Sequence, residues 1–119
     1  MLREAAGIKR VILAVGRTDT RKGLDGLAAL VRLAYGLNPL EEGTLFLFCG
    51  GRKDRIKGLL FEGTGFCLFT FRLSDGRFQW PNSPNEARDI TLEQYQRLLD
   101  GFSVDSSIRR YARKEAENK

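Results

Sequence analysis

The chain has 119 residues, of which 42% are hydrophobic and 29% are charged, which is typical of one soluble domain with a single modest core. No apolar run approaches the roughly 20 residues of a membrane-spanning helix. The first residues also lack the basic start and long apolar stretch of a secretory signal. We therefore expect a cytoplasmic protein with one folded domain over residues 1–105 and a flexible basic tail over residues 106–119.

The residue types exclude several classes of chemistry. Histidine is absent, so the chain cannot form a Ser-His-Asp or Cys-His nucleophile, a histidine proton relay or a histidine-ligated zinc site. The two cysteines, Cys49 and Cys67, are far apart in sequence and each lies within an apolar run. We interpret both as small buried thiols rather than as metal ligands or a disulfide. No metal or cofactor is expected.

The charge balance is only mildly informative. There are 20 lysines and arginines against 15 acidic residues, which gives a net charge of +5. The tail alone holds five basic and two acidic residues, so it carries +3 of this total and leaves +2 for the rest. Such a net charge is ordinary for a soluble domain. An argument for nucleic-acid binding must therefore depend on where the basic residues cluster.

The first half of the chain predicts a strand, a helix and a series of strands. Residues 10–15 are apolar and rich in β-branched side chains, which predicts a buried strand. Positions 18–20 supply polar caps for a helix in which apolar residues recur at helical spacing up to Tyr35, and Gly36 ends it. Strand-like runs follow at residues 44–49, 55–61, 66–73 and 77–80, separated by short connections that contain glycine.

The remaining elements complete the predicted fold. Pro81 and Pro84 interrupt the strand pattern, and a second helix is predicted from Thr91, which has the spacing of a capping box with Gln94. An apolar stripe runs along this helix until Gly101. We predict one α+β domain, in which an antiparallel β meander of four to five strands, the fifth being the first strand, is covered by two helices.

Two clusters of basic residues occur where the chain reverses direction. One follows the first strand, and the other follows Gly50 and Gly51 between two strands of the meander. Glycines let a ligand approach the backbone, and guanidinium and ammonium groups bind phosphate. An equally simple interpretation is a solvated edge that prevents strand-to-strand aggregation. The predicted nucleic-acid-binding residues are Arg17, Arg21, Lys22, Arg52, Lys53, Arg55 and Lys57.

Other functional patterns are weaker. The glycine-containing segments have neither the Walker spacing nor the dinucleotide-binding spacing. The strand aromatics could stack on bases, but core packing explains them more simply. Asp19, Asp25, Asp54 and Glu62 would suit magnesium if they converged, but no spacing indicates that they do. A metal-dependent nuclease is therefore the least favoured alternative.

Several segments, in this order, resemble one known family. They are TDTRKGLDGL (residues 18–27), LFLF (45–48), DRIK (54–57), GTGFCLF (63–69) and GRFQWP (76–81). The chain thereby resembles the accessory proteins encoded by the second reading frame of insertion-sequence family sixty-six. These proteins are called TnpB but share only that name with the RNA-guided nucleases. The resemblance runs from about Val11 to Phe102.

The resemblance implies a small, non-catalytic bacterial protein that helps a separate transposase to move a mobile genetic element by DNA recombination. It carries over no catalytic residue. The leading hypothesis is direct contact with DNA phosphates, with little base specificity, and the alternative is a protein-protein interaction module that docks on the transposase without binding DNA. The sequence departs from the family at Thr20, Gly58 and residues 59–61. These departures leave Arg21, Lys22, Arg55 and Lys57 in place, so the charged positions remain the better candidates.

Overall fold

A five-stranded mixed sheet forms the centre of the protein. In the computed structural model, which describes residues 7–84 and 86–105, the strand order is β4-β3-β2-β1-β5. Two helices pack on the sheet, and one 3₁₀ turn, Thr20–Lys22, precedes the first helix. The predicted α+β class is confirmed, whereas the predicted tail lies outside the described residues. The strands are β1 (Arg10–Ala14), β2 (Thr44–Phe48), β3 (Arg55–Phe61), β4 (Phe66–Arg72) and β5 (Ala87–Ile90), and the helices are α1 (Gly23–Tyr35) and α2 (Leu92–Leu99).

The sheet combines the predicted meander with a parallel pair of strands. β2, β3 and β4 pair antiparallel in chain order, but β1 lies parallel to β2. Parallel neighbours need a long crossover connection, and α1 supplies it. β5 adds antiparallel to the other side of β1, with Val11 opposite Ile90. Because β1 and β2 run in the same direction, both strands end at the same edge of the sheet.

The strand predicted at residues 77–80 is wrong. This segment is irregular, yet Phe78 and Trp80 are both buried against the sheet. The indole nitrogen Nε1 of Trp80 donates hydrogen bonds to the carbonyl oxygens of Ala14 and Gly16, each at 3.1 Å. The alternation of apolar and polar residues therefore reflects burial of every second side chain without strand pairing. β5 is not predicted by the sequence pattern, because two of its four residues are charged.

The sheet separates two cores, one on each face. On one face, Leu27 and Val31 of α1 pack against alternate residues of β1 and β2, such as Phe46. On the other face, Leu98 of α2 packs with Trp80 and the remaining alternate residues. Both faces of the central strands are thus covered, which explains why β1 and β2 are apolar almost throughout rather than alternating with polar residues.

The helix ends carry the predicted caps. The Asp19 side chain accepts a hydrogen bond from the backbone of the turn before α1, and Gly36 ends α1 with a φ of 66°. At the start of α2 the Thr91 hydroxyl accepts from the backbone N–H of Gln94 at 3.0 Å, and Gln94 Oε1 accepts from the backbone N–H of Thr91 at 2.8 Å. No helix in the described ranges has the length and apolar character needed to span a membrane.

One of the two thiols predicted to be buried is exposed. Cys49 follows β2 in the centre of the sheet and is buried, and burial raises the pKa of its thiol. Cys67 is exposed because it belongs to β4, which is an edge strand. Both cysteines are free thiols, so neither takes part in a disulfide.

Candidate nucleic-acid interface

The two basic clusters meet at one edge of the sheet. They follow β1 and β2, which are parallel neighbours and therefore have their carboxyl ends side by side. The backbone N–H of Thr18 donates to the carbonyl oxygen of Cys49 at 2.9 Å and joins the two loops. Contact is close at Gly50, where a Cβ would lie 3.0 Å from the hydroxyl oxygen of Thr20. Glycine at this position therefore lets the loops pack against each other.

The loops and the neighbouring strands line a cavity of about 750 Å³ that is open to solvent on one side. We call it the basic cavity. Its volume lies in the usual range of ligand sites, about 300–1,000 Å³. Five cationic side chains and one carboxylate line it, together with threonine hydroxyls and the backbone of two glycines. The complete lining is Arg17, Thr18, Asp19, Thr20, Arg21, Gly50, Gly51, Arg52, Arg55, Ile56, Lys57 and Thr70.

Arg17 lies against the second loop. A Cβ on Gly51 would be 3.1 Å from Cζ of Arg17, so the absence of a side chain at Gly51 gives the guanidinium group its place. Among residues 7–84 and 86–105, Arg17 forms no ion pair. Its charge is therefore not neutralised by any described carboxylate and is available to an anionic ligand.

Two aspartates orient the other arginines of the basic cavity. Arg21 Nε donates to Asp19 Oδ1 at 3.0 Å, and Arg55 Nε donates to Asp54 Oδ1 at 3.1 Å. Arg52 Nε lies 3.8 Å from the same oxygen of Asp54. The hydrogen bonds from Arg21 and Arg55 lower the pKa values of the Asp19 and Asp54 carboxyls, respectively. Both aspartates are thus ionised at neutral pH, and they reduce the positive charge without cancelling it.

Strands β3 and β4 of the meander add further positive charge next to the two loops. Arg55 and Lys57 point to the same face of β3, and in the register of the sheet they stand directly opposite Arg72 and Thr70 of β4. Directly opposed like charges destabilise a sheet, and the hydrogen bonds from Arg55 to Asp54 supply a counter-charge that offsets the pairing of Arg55 with Arg72. Arg72 has no signal in the sequence as a site residue, because strand register determines its position beside Arg55.

Two of the seven predicted residues do not line the basic cavity. Lys22 is exposed before α1, and its side chain packs over Gly26, where a Cβ would lie 2.6 Å from the Cβ of Lys22. Lys53 Nζ donates to Asn82 Oδ1 at 3.1 Å, and its carbonyl oxygen accepts from the backbone N–H of Phe78 at 2.7 Å. Lys53 thus holds the irregular segment after β4. The structure brings the other five predicted residues together.

The carboxylates considered for a metal site lie apart. Asp19 and Asp54 each pair with arginine, Asp25 lies on α1, and Glu62 follows the opposite end of β3. Within the ranges that the structure describes, no three His, Cys, Asp or Glu side chains form a group that could hold a metal ion.

Comparison with known proteins identifies relatives across most of the chain. A family described as "IS66 Orf2 like protein" matches residues 9–109. The uncharacterized protein y4hO of Sinorhizobium fredii (strain NBRC 101917 / NGR234) is 44% identical over 93 residues, which cover 78% of this chain and 80% of the relative. The uncharacterized protein y4jC of the same strain is 33% identical over 93 residues, covering 78% and 79%. No solved structure matches significantly.

Proposed function

Because the chain belongs to the IS66 Orf2-like family, whose members are accessory proteins of insertion-sequence transposition, we propose that it binds DNA phosphates in the basic cavity. A separate transposase performs the strand chemistry. The observation that carries this proposal is the convergence of five cationic side chains from two loops and a strand around one cavity.

The energetics of the basic cavity support an anionic ligand. Two like charges about 4 Å apart repel by roughly 1 kcal/mol in water and by more near a protein surface. It therefore costs electrostatic free energy to bring together the five cations of the lining, among them Arg17, Arg52 and Lys57. A bound anion offsets this repulsion. Guanidinium groups bind phosphate through paired, charge-assisted hydrogen bonds. The DNA backbone presents it at every nucleotide.

In this proposal the cationic side chains of the lining bind phosphate, so binding depends little on the base sequence. Among the described residues that line the basic cavity there is no aromatic side chain for a base to stack on, and no Asn or Gln to read adenine. Contacts to phosphate fix the position of a protein on DNA but do not read its sequence. In this proposal the transposase supplies the recognition of a specific site.

A salt series with labelled DNA tests the proposal. If the five cationic side chains each neutralise one phosphate, the logarithm of affinity falls with the logarithm of salt concentration with a slope of about −4.5. Between 50 and 200 mM monovalent salt, the affinity measured by fluorescence anisotropy should fall about 500-fold. A folded sample that binds no DNA at low salt would overturn the proposal.

Two matched variants assign the binding to the basic cavity. Arg17→Gln removes one lining cation and should reduce the magnitude of the salt slope by about 0.9. Arg32→Gln changes the net charge equally but lies on α1 outside the lining, so its slope should equal that of the unaltered protein. Equal losses in both variants would mean that only the overall charge attracts DNA.

A second candidate function, docking on the transposase, is favoured by the position of β4. This strand has seven residues and lies at the edge of the sheet, and within the described part of the chain no strand pairs with its outer side. Such an edge can accept a strand from a partner protein. Phosphate contacts are screened at 0.5 M salt, whereas strand addition is not. Co-elution with the purified transposase at that salt concentration would support docking, and separate elution would contradict it.

A further inference from the structure

We propose that the basic cavity selects the terminal phosphate of a nucleic-acid strand over the phosphodiesters within the strand. This inference rests on the proposed function and specifies which part of a nucleic acid enters the site. Three properties of the basic cavity lead to it, namely its size, its charge and the residue types of its lining.

The size of the basic cavity suits a strand end better than the side of a duplex. A volume of about 750 Å³ corresponds to a sphere about 11 Å across, which suits a small ligand. A B-DNA duplex is thicker than this, because its two grooves are about 8.5 Å and 7.5 Å deep. The side of a duplex would therefore contact the cationic side chains from outside the cavity. An unpaired strand end can place a phosphate next to the lining side chains.

The charge of the basic cavity favours a terminal phosphate. A phosphodiester carries one negative charge and two unbridged oxygens, whereas a phosphomonoester carries about −1.5 to −2 at pH 7 and has three strong acceptor oxygens. Donors reach the cavity from different elements, with Arg17 after β1, Arg52 after β2 and Lys57 on β3. Three acceptor oxygens can satisfy such an arrangement better than two.

The lining recognises phosphate rather than a nucleobase. The one large apolar residue of the lining, Ile56, is itself buried in the core, and the lining includes Thr18, Thr20 and Thr70, whose hydroxyls can donate hydrogen bonds. The described lining offers a base no aromatic partner. The preference should therefore depend on the presence of the terminal phosphate and be independent of the terminal base.

Short single strands test this directly. We would compare ten-nucleotide oligonucleotides that carry a 5′-phosphate or a 5′-hydroxyl, with a fluorophore on the 3′ end, and the reversed pair with a 3′-phosphate or 3′-hydroxyl. At pH 7 the phosphorylated strand of at least one pair should bind about tenfold tighter, as expected for an added charge-assisted hydrogen bond. The preference should be the same when the terminal base is changed.

The pH dependence of the preference identifies the group responsible. The second pKa of a phosphomonoester is about 6, so at pH 5 the terminal phosphate keeps one negative charge and loses the second, and the preference should become smaller. The chain contains no histidine. The cationic lining residues are arginine and lysine, residue types that remain charged across this range, and arginine lowers the pKa values of Asp19 and Asp54 further below it. A preference of unchanged size at pH 5 would contradict recognition of the phosphate dianion.

Two variants alter the basic cavity in different ways. Arg17→Gln removes a cation, whereas Gly51→Ala keeps the net charge but places a methyl group 3.1 Å from the Arg17 guanidinium, which must move. Both should reduce the preference for the phosphorylated strand, while Arg32→Gln should retain it. Because the end of the Arg17 side chain can move into solvent, Gly51→Ala should fold normally, which the thermal transition verifies.

The outcomes separate this inference from the function on which it rests. Equal affinity for phosphorylated and hydroxyl-ended strands, with a salt slope of about −3.5 for five phosphate contacts on a single strand, would overturn the inference and leave phosphate binding in place. Failure to bind any strand or duplex would overturn both. Inorganic phosphate should compete only at concentrations far above that of the phosphorylated oligonucleotide, because the strand adds its own phosphate contacts. Competition at equal concentration would assign the basic cavity to free phosphate instead.

Discussion

Replacing Gly58 with alanine should destabilise the protein, because the ring of Phe69 occupies the space of the missing side chain. A Cβ at Gly58 would lie 2.1 Å from Cζ of Phe69 and 2.6 Å from both of its Cε atoms. The two residues stand directly opposite each other in β3 and β4. Phe69 also packs against the core on the α2 face, so a methyl group at residue 58 must push its ring out of that contact.

Two opposing effects determine the size of the change. Overpacking of this kind usually costs about 1–3 kcal/mol. In the opposite direction, alanine restricts the backbone of the unfolded chain more than glycine does, which stabilises the folded protein by about 0.4–1 kcal/mol. We expect Gly58→Ala to lower the free energy of unfolding by about 1–2 kcal/mol, which corresponds to a Tm about 4–10 °C lower for a domain of this size.

Urea unfolding measures this change. The chain has one tryptophan, Trp80, which is buried, so its fluorescence reports on unfolding. Gly65→Ala is the matched control, because a Cβ at that position meets nothing within 4 Å, and it should be neutral or slightly stabilising. Introduced into a Phe69→Leu background, Gly58→Ala should cost less. Equal stability of the two alanine variants, or the same cost in both backgrounds, would refute the proposed contact.

Three further predictions concern stability. Trp80→Phe removes an indole donor shared by two carbonyl groups and should cost about 1–3 kcal/mol in urea unfolding followed by circular dichroism. Thr91→Ala removes the capping box and should cost about 1 kcal/mol in the same assay, whereas an unchanged midpoint would contradict the cap. Hydrogen bonds from Arg10 lower the pKa of Asp89. The stabilisation by this carboxylate is present above its unfolded pKa and is lost as the pH falls through its folded pKa. Asp89→Asn should therefore be destabilising at pH 7, and this difference should shrink below about pH 4.

The elements that could be predicted from sequence are those with a local physical signal. The strand at residues 10–15, the helix ended by Gly36 and the capping box at Thr91 each depend on neighbouring residues, and the structure has all three. The hairpins of the meander also follow from short connections between apolar runs. In these segments local preference and tertiary packing agree.

The errors arise where a long-range partner determines the structure. Phe78 and Trp80 alternate with polar residues as a strand would, but their burial is achieved by an irregular segment that the Trp80 indole fixes to the end of β1. β5 has little apolar character and becomes a strand because the edge of β1 provides its hydrogen bonds. Neither partner can be identified from the residues nearby.

The candidate site was predicted in parts, and the parallel pairing of β1 with β2 joins them. The basic clusters around Arg17 and Arg52 are visible in the sequence, but their union in one cavity follows from the shared direction of the two strands. Strand register adds Arg72 beside Arg55, and a hydrogen bond to Asn82 directs Lys53 elsewhere. Composition indicated which residues to consider, and topology determined which of them meet.

The position of β1 also bears on the order in which the protein folds. The hairpins of β2, β3 and β4 need only local contacts and can form early, whereas β1 must insert between β2 and the sequence-distant β5, which closes long loops and is slow. The basic cavity requires β1 beside β2 and therefore forms only when this long-range pairing is in place. Phosphate-bearing ligands should consequently bind the native state alone and raise the Tm with increasing concentration. Partly folded chains with intact hairpins would carry the same charges but no binding site.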